Sequence, residues 1–184
     1  MQRLIPSVLS GLLIKLIGAL LVLMTAQIVM RYGFNSSLLW AEEMCRYMLI
    51  WLAFLGVAMS YERGEVAALT FVSNALSRRP ALLLAMFTFA LSLAACLLLV
   101  WYGWRFADLA GGSRIPAMRF ILDDLFGADA PQAPTILWIY IALPFGMALV
   151  ALRLAADIVL CARALAHGET LGDALDRRMG ATPQ

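Results

Sequence analysis

Apolar residues occur along this chain in long, nearly unbroken runs. They show neither the strict alternation of a half-buried strand nor the single stripe of a water-facing helix. Four runs stand out, at about 8–30, 44–61, 81–104 and 136–159. At ~1.5 Å per residue, each is long enough to cross or nearly cross a hydrocarbon core ~30 Å thick. The first is too long for the apolar part of a signal peptide and has no clear small-residue cleavage site after it, so it reads as an uncleaved first span. The pattern predicts an all-α membrane protein of four transmembrane helices plus interfacial amphipathic helix segments. Residues 1–165 form one four-helix membrane domain, and 166–184 a polar tail.

The polar breaks refine this. Arg31 to Ser36 end the first helix, and Ser36 or Ser37 can cap the next. That next helix begins near Leu38 with Trp40, Glu42, Glu43 and Arg46. This amphipathic start lies along the membrane surface or enters it obliquely, and the apolar remainder spans. Val66 to Leu76 is too short to span and suits the interface. Pro80 falls where a helix start tolerates proline. The longest connection, Arg105 to Pro134, holds a candidate short helix at Met118 to Phe126. Pro144, inside the fourth run, should kink that helix or free a carbonyl.

Composition supports the membrane reading: 63% of residues are hydrophobic and 14% charged, against about half and a quarter in soluble domains. A net charge of +2 gives no nucleic-acid surface. The basic residues Arg3, Lys15, Arg63, Arg78, Arg79, Arg163, Arg177 and Arg178 fall on one side of the spans. Arg31, Arg46, Arg105, Arg114 and Arg119 fall on the other. This bias places both termini in the cytoplasm. Tyr32, Trp40, Trp101, Trp104, Trp138 and Tyr140 mark the opposite membrane boundary.

Little in the chain suggests catalysis. The three cysteines, Cys45, Cys96 and Cys161, have no metal-ligand spacing and read as buried free thiols. The single histidine, His167, lies in the tail, which disfavours a haem or zinc site. Gly111-Gly112-Ser113 reads as a flexible loop, not a phosphate cradle. No catalytic, cofactor-binding or metal residue is predicted.

Two clusters carry more information. On a helix, Glu42 and Arg46 pair at i,i+4, and Leu49, Ala53, Gly56 and Ser60 continue their face. Arg31, Asn35, Trp40 and Glu43 join Glu42, Arg46, Gly56 and Ser60 as candidates for a subunit interface or a membrane-surface anchor, because small residues below a polar group let helices approach closely. An ordinary surface ion pair with packing inside the chain is the alternative. Arg153 and Asp157, also i,i+4, form a candidate intramembrane ion pair. No internal repeat or polar midplane is evident, so a helper subunit fits better than a pore. A cofactor-binding redox subunit and an independent small transporter are the competing readings.

The stretch RYGFNSSLLWAEEMCRYMLIWLAFLGVAMSYERGE, Arg31 to Glu65, resembles the signature of the small, Q-type membrane subunit of tripartite ATP-independent periplasmic (TRAP) transporters. Arg31, Asn35, Trp40, Glu42, Glu43, Arg46, Trp51, Phe54, Leu55 and Gly56 carry it. Trp138, Tyr140, Ala142-Leu143-Pro144, Gly146 and Arg153 follow the same family's order. Val66 and Thr70 stand where many members have His and Asp, and the Ser113 to Gln132 connection is long for the family. The resemblance implies a multi-pass protein of the bacterial inner membrane without enzymatic activity or cofactor. It also implies a large, M-type transport subunit, a periplasmic substrate-binding protein and membrane lipids as partners. The system would import an organic anion, a carboxylate or sugar acid, by sodium symport.

Overall fold

A computed structural model describes residues 4–36, 38–62, 77–127 and 131–167. Four helical segments among them are long and apolar enough to cross a membrane, and the described residues form no strand beyond one isolated bridge. The predicted all-α architecture is therefore present. Helix α1 is Leu4–Gly33, α2 is Leu39–Glu62 and α3 is Arg78–Ala110. A short α4, Pro116–Phe126, occupies the long connection, where a helix was predicted from Met118. Helices α5, Leu137–Tyr140, and α6, Ala142–His167, together make the fourth span. The predicted interfacial segment from Val66 to Leu76, including Thr70, lies outside the described residues, as does the tail beyond His167.

Local chemistry sets the helix ends. The N–H groups of Phe34 and Ser36 both return to the Met30 carbonyl, at 3.2 and 3.1 Å. This turn needs a left-handed residue, and Asn35 supplies it with φ +50°. Asparagine tolerates that region better than most residues. Ser77 is extended at the start of α3, and Pro80 lies in its first turn, where a missing N–H costs no helical bond. Helix α2 is unbroken, so the Trp40–Arg46 segment is continuous with the span and forms no separate surface helix. Pro144 sits in the first turn of α6, just past the turn residue Ile141 that divides α5 from α6. It cannot donate to the Tyr140 carbonyl four residues back, which accounts for an interruption at this point.

The chain alternates direction through the spans. The start of α1, end of α2, start of α3 and end of α6 therefore share one side, called here the terminal side. The opposite ends, with α4 and α5, form the loop side.

The spans make an open row in the order α1, α2, α6, α3. Backbones approach closely between α1 and α2, α2 and α6, and α6 and α3. Among the described residues α1 approaches neither α6 nor α3, so the ring is not closed. The central α2–α6 seam is tight because Gly146 has no side chain. A Cβ there would lie 2.7 Å from Phe54 Cβ and 3.0 Å from the Phe54 backbone oxygen. Trp51 and Phe145 pack beside this point with ring centroids 6.2 Å apart. The main core joins Leu55, Ala58 and Met59 of α2 to Leu82, Ala85 and Phe89 of α3 and Val150, Ala151 and Leu154 of α6. Cys45, Cys96 and Cys161 are all buried and free, as read from the sequence.

A second, smaller core caps the loop side. Ile115, Ala117 and Ile139 are buried there against Trp40, Met44, Tyr47 and Ile50. The ends of the connection are tied together. The Ile115 N–H donates to the Pro134 carbonyl at 3.0 Å, and the Ile136 N–H to the Ser113 carbonyl at 2.8 Å. These bonds leave α4 laid against the first turns of α2.

Candidate functional site

Helix α2 belongs to both cores, and its residues divide by face. Trp40 and Tyr47 point into the loop-side core. The Tyr47 hydroxyl hydrogen-bonds to the Glu43 carboxylate one turn earlier. Glu42 points the other way, 3.6 Å from Arg46 in an exposed i,i+4 pair. The adjacent carboxylates thus have separate surroundings: Glu43 is half-buried and Glu42 exposed.

Below Glu42 and Arg46 runs the stripe expected from the sequence. Leu49, Ala53, Val57 and Ser60 are exposed and Gly56 is half-buried. Helical periodicity puts Glu42, Arg46, Leu49, Ala53, Gly56 and Ser60 on one line down the helix. A Cβ built on Gly56 meets no atom within 4 Å. Close packing on α2 instead falls at Phe54 against Gly146, on another face. Gly56 is therefore not spent on close packing inside the chain. An exposed pair such as Glu42–Arg46 adds little stability by itself, because water and salt screen it.

Arg31 and Asn35 stand apart from this stripe. Arg31 is exposed in the last turn of α1, where a cation complements the helix carbonyls. Asn35 forms the turn that ends α1.

A polar cluster lies toward the terminal side, between α2 and α6. Sequence spacing pairs Arg153 with Asp157. The structure instead gives Arg153 an ion pair with Glu62 at the end of α2. Asp157, itself buried, accepts a hydrogen bond from the Tyr61 hydroxyl at 2.7 Å. The i,i+4 alternative is displaced because the α2–α6 seam brings two polar side chains from consecutive positions of α2 against α6. Cross-helix partners of this kind satisfy buried groups and fasten the helices together.

Side-chain exposures are 25% for Arg153 and 12% for Glu62, so each would be left half-buried without this partner if the other were removed. Arg153→Ala is expected to destabilise the chain by about 3 kcal/mol. Combining Glu62→Gln with Arg153→Met should recover part of that loss. Thermal unfolding in detergent checks both, and an unaltered transition in Arg153→Ala would show that the pair does not bind the helices together.

Sequence reading missed Tyr61 and Glu62 as partners because they lie in a different helix from Arg153. The only available signal was an acidic residue ending one span and a basic residue inside another. Among the described residues no three His, Cys, Asp or Glu side chains gather as a metal site would require. Among the described residues the arrangement is an exposed stripe and a helix clasp, with no nucleophile held by a base.

Residues 20–164 match the family model described as tripartite ATP-independent periplasmic transporters, DctQ component. A Haemophilus influenzae protein described as a TRAP transporter small permease is 32% identical over 100 residues, covering 54% of this chain and 62% of the relative. The C4-dicarboxylate TRAP transporter small permease protein DctQ of Vibrio cholerae is 28% identical over 146 residues, covering 74% and 63%. The sialic acid TRAP transporter small permease protein SiaQ of Vibrio cholerae is 28% identical over 86 residues, covering 47% and 50%. The matched part thus spans between half and just under two thirds of these relatives' lengths.

Proposed function

The chain belongs to the DctQ component family of tripartite ATP-independent periplasmic transporters, and from that premise we propose that it binds and scaffolds a large membrane subunit through the exposed stripe of α2. As a small permease it is a transporter subunit, not an enzyme, and a multi-pass protein of the inner membrane. The observation that carries the interface is the exposed Glu42–Arg46 pair above exposed Ala53 and a Gly56 with open space beside it. Without a strong hydrophobic drive between helices in lipid, association depends on close packing and polar contacts. This stripe offers both. The open row of spans supports a scaffold role, since it presents a long side to a partner.

In this reading the large subunit carries substrate and sodium, and the cargo is an organic anion, a carboxylate or sugar acid. The dicarboxylate and sialic acid named for two relatives support that class. The positive-residue bias puts the termini in the cytoplasm and the loop side in the periplasm. A periplasmic substrate-binding protein then meets the loop side, where α4 stands.

Co-purification of the tagged chain with its untagged large permease tests the proposal. A stable complex is expected, and liposomes holding this chain alone should show no uptake. Glu42→Ala and Arg46→Ala should each lower recovery of the complex several-fold while leaving the isolated chain folded. Full recovery in both variants would remove the pair from the interface.

A further inference from the structure

We propose that the loop side carries a binding site for the headgroup of an anionic phospholipid, formed by Arg114 and Arg119 with Phe120 beside them. A cavity of about 540 Å³ is lined by Arg114, Ile115, Pro116, Arg119, Phe120 and Asp123. It lies where the connection enters α4.

Its depth suits a headgroup. Helix α4 packs against Trp40, Met44 and Tyr47 in the first turns of α2, at the loop-side end of that span. Exposed Tyr32, Trp101, Trp104 and Trp138 ring the same side. Such amphipathic rings favour the layer between hydrocarbon and water. Phe120 and Phe126, 62% and 58% exposed, leave the α4 surface apolar beside the charges. A helix facing only water would not favour two such rings; one at the interface can insert them among acyl chains.

The charge suits a single phosphodiester. The Arg114 guanidinium donates to the Gln132 side-chain oxygen at 2.8 Å, a neutral partner that positions the cation without cancelling it. The Arg119 guanidinium lies 3.6 Å from the Asp123 carboxylate, on the exposed side of α4. Two cations and one anion leave a formal +1 at the cavity, which matches the single negative charge of a phosphodiester. Guanidinium groups present several N–H donors in a plane and suit phosphate oxygens. A headgroup without an ammonium, such as phosphatidylglycerol, adds no cation to repel the two arginines. The apolar wall of Ile115, Pro116 and Phe120 favours a lipid over a free anion.

The test uses the full chain in nanodiscs of phosphatidylcholine containing phosphatidylglycerol, with retained lipid counted by native mass spectrometry. The wild type is expected to retain phosphatidylglycerol in preference to phosphatidylcholine. Arg114→Gln with Arg119→Gln should lower that retention at least fivefold. Arg119→Gln alone alters an exposed side chain outside both cores, and should lower retention about two- to threefold with an unchanged circular dichroism spectrum. Unselective retention by the wild type, or equal retention in both variants, overturns the proposal. Displacement of the lipid by millimolar inorganic phosphate would make this a free-anion site instead. Arginine-dependent capture of the purified periplasmic binding protein, with lipid retention unaffected, would assign the arginines to protein docking and also overturn it.

Discussion

Gly146→Ala will destabilise the isolated chain by about 1–3 kcal/mol, and Gly146→Leu will prevent α2 and α6 from packing at all. The smaller change already places a Cβ 2.7 Å from Phe54 Cβ and 3.0 Å from the Phe54 backbone oxygen. A flexible side-chain tip could swing aside, but backbone moves only with its helix. Relief therefore requires the seam to widen along its length. Widening loosens the Trp51–Phe145 contact and draws the Arg153–Glu62 and Tyr61–Asp157 partners apart. The expected loss therefore falls toward the upper part of that range. Thermal unfolding in detergent, followed by tryptophan fluorescence, reads the effect. A melting temperature for Gly146→Ala equal to the wild type would mean that the helices do not approach as described.

Gly56→Leu should give the opposite result. No atom lies within 4 Å of a Cβ at Gly56, so the isolated chain has room for the side chain. Leucine also favours the helix over glycine by up to about 1 kcal/mol. The isolated variant should therefore fold as well as the wild type or slightly better. Recovery of the large subunit should fall more than tenfold, because a bulky residue now fills the line intended for close helix approach. Unimpaired assembly would place the interface on another face. Together the two variants distinguish a glycine that serves the fold from one that serves a partner.

Much of this architecture was legible from the sequence. The apolar runs located the spans, since bilayer thickness sets their length almost independently of packing. Pro80 and the Asn35 region marked boundaries for local reasons. The order of helices in the row was not legible. In lipid, outward and inward faces are equally apolar, so periodicity gives little direction for α1 and α3. The Glu42 to Ser60 line was identified from spacing, but only the structure shows that Gly56 faces open space while Gly146 meets Phe54. For Arg153, spacing nominated the nearest carboxylate in sequence, Asp157. Its partner came from another helix because the α2–α6 crossing decides which groups meet.

The open row allows one motion that a closed ring does not. Helices α1 and α2 form one leaf and α6 and α3 the other; among the described residues they meet along the α2–α6 seam and through the loop-side core. A change of angle between the leaves would fall on this seam and need break no hydrogen bond within a helix. The terminal-side clasp restrains that swing at one end of the axis, and Gly146 sets how close the leaves come near its other end. The row is built like a book with a stiff spine, its opening angle set by the seam, the clasp and the loop-side core.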